Sequence, residues 1–405
     1  MSNVPKLRFK EFSGKWEEKP LGKYGKLING LTYSPDNIVE NGLLVLRSSN
    51  IQNEQISFED NVYVNLNVED EYLTCENDIL ICVRNGSKRL IGKSLLISRN
   101  LPKSTHGAFM TVFRGDSNKF ISHWLKTPMF FKEVHKNLGA TINSINGSNL
   151  KKFKTFFPNS KEEQEKIASF LTSVDTKIEQ LTKKEQLLQQ YKKGVMQKIF
   201  NQEIRFKADD GSEFPEWEEK KLNKYLYEHK EKNFDKKYTK NDVLSVSGEY
   251  GIVNQIELQG RSFAGESIDN YHFVDIGDVV YTKSPLKANP YGIVKTNKKK
   301  AGVVSTLYAV YRPKENLNPL FIDYYFQLND NVNKYFRPLV QKGAKNDMKI
   351  NNSYAISDPV LFPEKKEQTK IANFLSSIDS KIEQVQKQLN STKEFKKALL
   401  QQMFI

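Results

Sequence analysis

Cysteine is scarce in this chain, which has only two among its 405 residues. Cys75 and Cys82 lie on one short segment, so they do not supply the disulfide framework of a small secreted protein. The chain also lacks a run of about 18 apolar residues, which a membrane-spanning helix needs, and a secretory signal pattern. We therefore expect a cytoplasmic protein that has no membrane partner.

Motifs for bound nucleotides and metals are missing too. Neither a phosphate-binding Gly-x-x-x-x-Gly-Lys loop nor a dinucleotide-binding Gly-x-Gly-x-x-Gly pattern occurs. The histidines are not spaced as metal ligands; they are His106, His123, His135, His229 and His272. For His106, in a Ser-Thr-His-Gly segment, we consider a phosphate contact and an ordinary loop position equally. We predict no catalytic residues, no metal site and no cofactor bound by this chain.

One short segment requires a separate interpretation. Asn289-Pro290-Tyr291 resembles the Asn-Pro-Pro-Tyr element that holds the target adenine in amino-methyltransferases. The second proline is missing, and no glycine-rich cofactor loop accompanies the segment. We interpret it as a turn that presents Lys287 and Asn289.

Positive charge and apolar residues are plentiful. The net charge of +14 favours a polyanionic partner, with nucleic acid as the first candidate and an anionic membrane as the second. A basic surface that binds nothing is the alternative. With 38% hydrophobic residues, the chain has enough apolar surface for packed globular domains.

A long amphipathic segment occurs twice. Residues 160–200 and 365–404 align at an offset of 204 positions, and each has a 3-4 apolar spacing that predicts a long helix. Ser160 and Glu163 predict a capping box at the start of the first helix. We expect the two apolar stripes to pack on each other as an antiparallel coiled-coil spacer. Two helices packed separately on their own domains are the alternative.

The globular segments are repeated as well. Arg8-Phe9 and Trp16-Glu17-Glu18-Lys19 recur at Arg205-Phe206 and Trp217-Glu218-Glu219-Lys220, and short apolar strand patterns follow in both halves. In the first half a helical pattern covers about residues 120–138, and a Ser/Asn/Gly loop follows it. We predict a mixed α/β (α+β) protein with two similar globular domains at 1–158 and 203–363 and long helices within 159–202 and 364–405. We interpret Trp16 and Trp217 as packing anchors.

Polar and basic loops supply the residue types that contact DNA. Arginine forks pair with guanine, amides pair with adenine, and hydroxyls and lysines meet phosphates. Our candidate DNA contacts in the first half are Arg47, Asn50, Arg84, Asn85, Ser87, Lys88, Arg89, Asn143, Ser144 and Asn146. Those in the second half are Lys283, Ser284, Lys287, Asn289, Lys342, Lys345 and Asn346.

Polar positions shared by the two helices are candidates for binding a partner. If two identical partners bind the repeated helices, they require the same side chains in each copy. The candidates are Glu163, Gln164, Asp175, Lys177, Glu179 and Gln180 with their counterparts Glu367, Gln368, Asp379, Lys381, Glu383 and Gln384.

The duplicated series resembles the specificity subunit of type I restriction-modification enzymes over essentially the whole chain. The resemblance rests on the two Phe-Pro…Glu-Gln-x-Lys-Ile-Ala-x-Phe-Leu…Asp-x-Lys-Ile-Glu-Gln segments and on the Trp-Glu-Glu restarts. It implies that the globular domains at 1–158 and 203–363 are target-recognition domains, each of which reads one half of a bipartite double-stranded DNA target. It also implies two modification subunits, which bind S-adenosylmethionine, and restriction subunits that use ATP and magnesium.

Two other functions remain open. The chain could be a self-contained DNA methyltransferase or nuclease, in which case it would act without partners. It could also be a coiled-coil scaffold, in which case it would not bind DNA with a steep salt dependence.

Overall fold

The computed structural model describes residues 3–97, 101–138, 143–286, 289–342 and 348–405. Its helices are α1 (Asn118–Trp124), α2 (Pro128–Asn137), α3 (Gly147–Lys151), α4 (Lys161–Phe200), α5 (Gln255–Gln259), α6 (Pro319–Tyr325), α7 (Asn329–Phe336) and α8 (Lys365–Gln402). The strands before α4 are β1 (Glu17–Pro20), β2 (Lys26–Asn29), β3 (Ile38–Val39), β4 (Leu43–Leu46), β5 (Ile51–Gln52), β6 (Gln55–Ile56), β7 (Tyr63–Val64), β8 (Ile79–Cys82), β9 (Ser94–Leu96), β10 (Ser104–His106), β11 (Met110–Arg114) and β12 (Lys154–Phe157). Those after α4 are β13 (Glu218–Lys221), β14 (Leu226–Glu228), β15 (Leu244–Ser247), β16 (Gly251–Asn254), β17 (His272–Val274), β18 (Val279–Thr282), β19 (Val294–Thr296), β20 (Gly302–Val304), β21 (Tyr308–Pro313), β22 (Gln341–Lys342), β23 (Met348–Lys349) and β24 (Pro359–Phe362).

The chain divides into two compact units. The first unit comprises Met1–Lys183 and Gln386–Ile405, and the second comprises Lys184–Val385. Each unit therefore contains one globular half and a segment of both long helices. The mixed α/β fold with two similar halves is confirmed, whereas the predicted domain boundaries stay a prediction.

The first unit is built on the antiparallel sheet β2-β11-β8-β9. Its central strands alternate between two cores: Phe113 packs with the helices, whereas its neighbour Val112, opposite Leu80, packs with strand β4. A strand that is buried on both faces needs apolar side chains at every position. This explains the uninterrupted Ile-Leu-Ile-Cys sequence of β8.

The second unit repeats this arrangement in the sheet β14-β21-β18-β19. Val310 faces Val280 there, as Val112 faces Leu80 in the first unit. The strand that opens each half pairs antiparallel with the strand before the long helix, β1 with β12 and β13 with β24. The backbone pairing therefore confirms the internal repeat.

The predicted helix at residues 120–138 is two helices. Pro128 has no amide hydrogen to continue α1, and it occupies the first turn of α2, where a proline is tolerated. Thr127 caps α2 by accepting a hydrogen bond from the backbone N of Phe130 at 3.3 Å. The Ser/Asn/Gly loop also contains a helix, α3, whose cap is Asn146.

The ends of the long helices belong to the globular cores. In the first unit, Leu171 of α4 and Leu399 of α8 share one apolar cluster, and the rings of Phe404 and Trp16 are 6.4 Å apart. In the second unit, Ile199 of α4 and Leu375 of α8 lie in the corresponding cluster. Within each unit, the apolar stripe of each long helix therefore packs against the globular half as well as against the other helix.

The two tryptophans at the domain entrances are packing anchors, as predicted. Trp16 is 1% exposed and Trp217 is 7% exposed. Trp16 also donates a hydrogen bond from Nε1 to Oε1 of Glu163 at 3.3 Å. This bond ties the start of the first half to α4 within the first unit.

Candidate nucleic-acid interface

Three loops that we selected by residue type alone meet on one surface of the first unit. Asn85 donates from Nδ2 to Oγ of Ser48 at 3.0 Å, which joins the second loop to the first. Asn143 donates from Nδ2 to the carbonyl of Gly86 at 2.9 Å, and its own carbonyl accepts a bond from the backbone N of Asn85. We call residues 47–50, 84–89 and 143–146 the three-loop surface.

Four polar or charged side chains of the three-loop surface point to solvent. Arg84, Ser87, Lys88 and Arg89 are exposed, and none of them is drawn into the core of the unit. The Arg84 guanidinium lies over the ring of Phe109, with 5.6 Å between Cζ and the ring centroid. A cation and an aromatic face are the groups with which proteins stack and neutralise nucleotides.

Phe109 is a candidate that the sequence analysis missed. The side chain is 56% exposed, although its segment has the apolar composition of a strand. Strand β11 begins only at Met110, and the carbonyl of Phe109 accepts a hydrogen bond from the backbone N of Arg84. The glycine two residues before Phe109 is the only local signal that this aromatic residue lies outside the strand.

Asn50 requires a correction. It is fully buried, its Oδ1 accepts from the backbone N of Arg47 at 2.9 Å, and its Nδ2 donates to the carbonyl of Ser57 at 3.0 Å. Asn50 therefore shapes the first loop from inside and does not face a ligand. Arg47 itself is partly exposed and pairs with the carboxylate of Asp60 at 2.8 Å.

The third loop is held by its backbone and by a helix cap. Ser144 forms an isolated antiparallel bridge with Arg84, which fixes the distance between their loops. Asn146 is exposed, but its Oδ1 accepts from the backbone N of Ser148 at 3.0 Å as the cap of α3. For the exposed residues of this surface, contact with DNA stays a prediction.

In the second unit, two predicted contacts are part of the scaffold. Lys283 donates to Oδ1 of Asn352 at 3.1 Å, and burial lowers the pKa of its ammonium group. Asn289 is 8% exposed and donates to Oδ1 of Asn329 at 3.0 Å. The expectation that the Asn289 turn presents this side chain is therefore wrong.

The other candidates of the second unit are less defined. Ser284 is half-buried next to Lys283. Lys342 belongs to strand β22, where it pairs with Met348. Lys287, Lys345 and Asn346 lie outside the described residues.

Exposed aromatic residues with cations over their rings occur in the second unit, and sequence reasoning missed them. Arg261 lies over Phe263 at 4.6 Å, and Lys232 lies over Phe234 at 5.7 Å. Phe263 is 54% exposed and Phe234 is 63% exposed. In both pairs the aromatic residue follows the cation by two positions, which is a weak signal in a sequence with many such pairs.

Four of the predicted partner-binding residues are internal. Glu163 is 2% exposed and accepts hydrogen bonds from Nε and Nη2 of Arg8, both at 2.7 Å. In the second unit, Glu367 is fully buried and accepts from Arg205 Nη2 at 3.0 Å. Gln164 and Gln368 are buried and donate to the prolyl carbonyls before their helices, both at 2.8 Å. These four residues recur because they attach each helix to its own half. Our prediction that they bind a partner subunit is therefore corrected.

The capping box at Ser160 is half formed. The Ser160 hydroxyl accepts a hydrogen bond from the backbone N of Glu163 at 3.1 Å, as a cap does. The Glu163 side chain is already bound to Arg8 and Trp16. It is therefore engaged with a different part of the first unit and does not return to the cap.

Six of the predicted partner-binding residues remain at the surface. In the first unit they are Lys177, Glu179 and Gln180, and in the second unit they are Lys381, Glu383 and Gln384. The same helices also expose Tyr191 and Phe395, which are 54% and 52% exposed and are related by the same offset of 204. Contact of these residues with a partner stays a prediction.

Asp175 and Asp379 form equivalent ion pairs within their own units. Asp175 pairs with Lys396 at 2.7 Å in the first unit, and Asp379 pairs with Lys192 at 2.6 Å in the second. In the first unit, burial lowers the pKa of the nearby His123 to about 4. The two aspartates are therefore engaged inside their units and are only partly open to a partner.

Histidine and acidic residues do not gather into a metal centre in the part of the chain that the structure describes. His106 is fully buried in β10, where its Nε2 lies 3.0 Å from the carbonyl oxygen of Ile28. The interpretation of His106 as a phosphate contact is therefore wrong, and so is its placement in a loop. Among the described helices, none combines the length and the apolar character needed to cross a membrane.

Comparisons with known proteins agree with this architecture. The family model described as type I restriction modification DNA specificity domain matches residues 13–190. The MjaX protein of Methanocaldococcus jannaschii, assigned as a type I restriction enzyme specificity subunit, is 27% identical over 98% of this chain and 95% of its own. The StySPI specificity subunit of Salmonella potsdam is 27% identical over 45% of this chain and 42% of its own.

A solved structure shares the fold over nearly the full length. The S subunit of a type I restriction-modification system from M. genitalium superposes with a TM-score of 0.60 at 15% identity, covering 99% of both chains. The family model covers the first half, and the full-length relative covers both halves of the repeat. Over both halves of its repeat, the chain is therefore similar to the specificity subunits of type I restriction-modification systems.

Proposed function

We propose that each unit reads one half of a bipartite DNA target, and that the three-loop surface is the reading surface of the first unit. The observation that carries this proposal is the convergence of its loops. Residues 47–50, 84–89 and 143–146 are far apart in sequence, yet hydrogen bonds hold them together at the surface.

The chemistry of this surface suits both the backbone and the bases of DNA. Lys88 and Arg89 are exposed cations that can neutralise phosphates and release counterions. Arg84 offers a planar fork of donors, which matches the two acceptors of guanine in the major groove. Phe109 lies under that fork and limits the directions in which the guanidinium can turn. An arginine held in this way loses less side-chain entropy when it binds.

We also propose that this chain has no catalytic activity and directs the chemistry of other subunits. The names of its relatives describe a subunit of a restriction enzyme, so a complete enzyme needs further chains. Two modification subunits that bind S-adenosylmethionine, and restriction subunits that use ATP and magnesium, would supply the reactions. The exposed residues Lys177, Glu179 and Gln180, with their repeats, are the surface that we assign to these partners.

A segment exchange tests the proposal. Residues 22–157 are replaced by the equivalent segment of a relative with a different target, and methylated sites are mapped in cells that also express the modification subunits. We expect one half-site to change and the other to stay the same. The matched control exchanges residues 226–362 and should change only the other half-site. A change of both half-sites in either exchange would contradict one reading surface per unit.

A further inference from the structure

A cavity of about 330 Å³ lies in the second unit, where α4, α8 and the strand β19 approach one another. Four lysines line it: Lys192, Lys295, Lys298 and Lys299. Three carboxylates line it as well: Glu249, Asp323 and Asp379. The volume is at the lower end of the range for sites that bind small molecules.

The carboxylates do not balance the lysines. Lys192 pairs with Asp379 at 2.6 Å, and Lys298 pairs with Asp323 at 2.6 Å. Lys295 is 8% exposed and has no ion-pair partner among the residues that the structure describes. Asp323 and Asp379 attract Lys295 only at longer range. A buried ammonium group without a direct ion-pair partner is costly, and one that borders a cavity can be compensated by an anion from outside.

In the first unit, the place that corresponds to this cavity contains a carboxylate that pairs with the lysines around it. Lys396, the counterpart of Lys192, pairs with Asp175 and also binds the carboxylate of Glu54 at 2.8 Å. Glu54 reaches Lys126 too, at 2.6 Å. Although partial burial opposes ionisation, these two lysines lower the pKa of Glu54 to about 2, so its carboxylate is a stable anion between them, with its side chain 55% exposed.

Glu54 lies on the hairpin β5–β6, which follows the strand pairing of Val45 with Thr105. In the second unit, the parallel bridge of Val243 with Val303 is followed by the hairpin β15–β16. Its turn carries Glu249, which is exposed and forms no ion pair with Lys192 in the described part of this unit. Lys192, the counterpart of Lys396, therefore has no carboxylate from the hairpin and donates to Oε1 of Gln327 at 3.0 Å.

We propose that this cavity binds a small phosphorylated ligand of nucleotide size, whose phosphate takes the place that the Glu54 carboxylate has in the first unit. Lys295 and Lys299 would donate to the phosphate oxygens. Tyr250 lines the same cavity and is 55% exposed, so its ring can stack on a base. Burial lowers the pKa of Lys295, and a bound phosphate would favour its charged form. This proposal does not depend on the proposed DNA function.

The test is calorimetric titration of the full chain with inorganic phosphate, adenosine monophosphate and a short DNA duplex. We expect adenosine monophosphate to bind with a dissociation constant below about 1 mM and inorganic phosphate to compete with it. Lys295→Met should weaken binding by about tenfold or more, because it removes the buried charge. If Lys295→Met does not fold, Lys299→Ala is the second test variant, and it should weaken the binding of adenosine monophosphate several-fold.

The matched control is Lys126→Met, which changes the equivalent place of the first unit and should leave phosphate binding unaltered. Absence of nucleotide and phosphate binding at about 5 mM would overturn the proposal, and so would equal binding by the wild type and both lysine variants. Binding of the duplex alone, lost on Lys295→Met, would also overturn it, because the cavity would then serve the DNA backbone.

Discussion

Replacing Glu163 with alanine removes the acceptor that Arg8 and Trp16 share in the first unit. The carboxylate is 2% exposed and receives two bonds from Arg8 at 2.7 Å and one from Trp16 at 3.3 Å. After the change, the Arg8 guanidinium is left beside the core without its counter-charge, and the indole N–H of Trp16 has lost its acceptor.

The magnitude follows from these contacts. Breaking a buried ion pair by removing one partner typically costs about 3–5 kcal/mol. Arg8 keeps its bonds to the carbonyls of Ser13 and Gly14, and its side chain is 12% exposed, so we place the loss of unfolding free energy near the lower limit, at about 3 kcal/mol. Glu163→Gln retains an acceptor without its charge and should cost less.

Urea unfolding followed by tryptophan fluorescence measures this loss. The chain has three tryptophans, so a Trp217→Phe background leaves Trp16 and Trp124, which both lie in the core of the first unit. The control is Glu179→Ala on the exposed part of α4, which should change the unfolding free energy by less than about 0.5 kcal/mol. Equal stability of the two variants, with loss of partner binding only in Glu163→Ala, would refute our structural assignment of Glu163.

Three further predictions address recognition, acid sensitivity and assembly. Arg84→Ala should weaken binding to one half-site by about 1–3 kcal/mol in fluorescence anisotropy with partners present; equal effects on both half-sites would exclude base reading by Arg84. Because burial lowers the pKa of His123 from 6.5 to about 4, the first unit should lose up to about 3 kcal/mol as the pH falls through that interval. His123→Gln should make urea midpoints less dependent on pH there; an unchanged slope would show that other groups cause the acid sensitivity. Lys177→Glu should reduce co-purification of the modification subunits without lowering the unfolding free energy of the chain, and retained co-purification would exclude Lys177 from the partner surface.

Features that depend on local pattern could be predicted from the sequence. The repeat places apolar strands and long helices at matching positions, because periodicity reports which side chains must be buried. The break at Pro128 was missed, since apolar residues continue through α1 and α2 and a proline at the start of a helix looks the same as one inside it.

Features that depend on distant partners could not be predicted. Glu163 and Lys177 are both charged residues repeated on a helix, yet only the fold shows that Arg8 reaches Glu163 and leaves Lys177 in solvent. Asn50 has the same residue type as the exposed Asn146, but the carbonyls around it make it the centre of its loop. For the candidate site, residue type identified the loops, and tertiary structure decided which of their side chains face outward.

The sharing of both long helices between the units has a consequence for the order of folding. Leu399, Met403 and Phe404 complete the apolar core that also contains Trp16, so this core joins residues from nearly opposite ends of the sequence. Contacts of such sequence separation form late. During synthesis on the ribosome, we expect the core of the N-terminal half to remain incomplete until α8 has been made. For most of that time, this half would be exposed to chaperones and proteases.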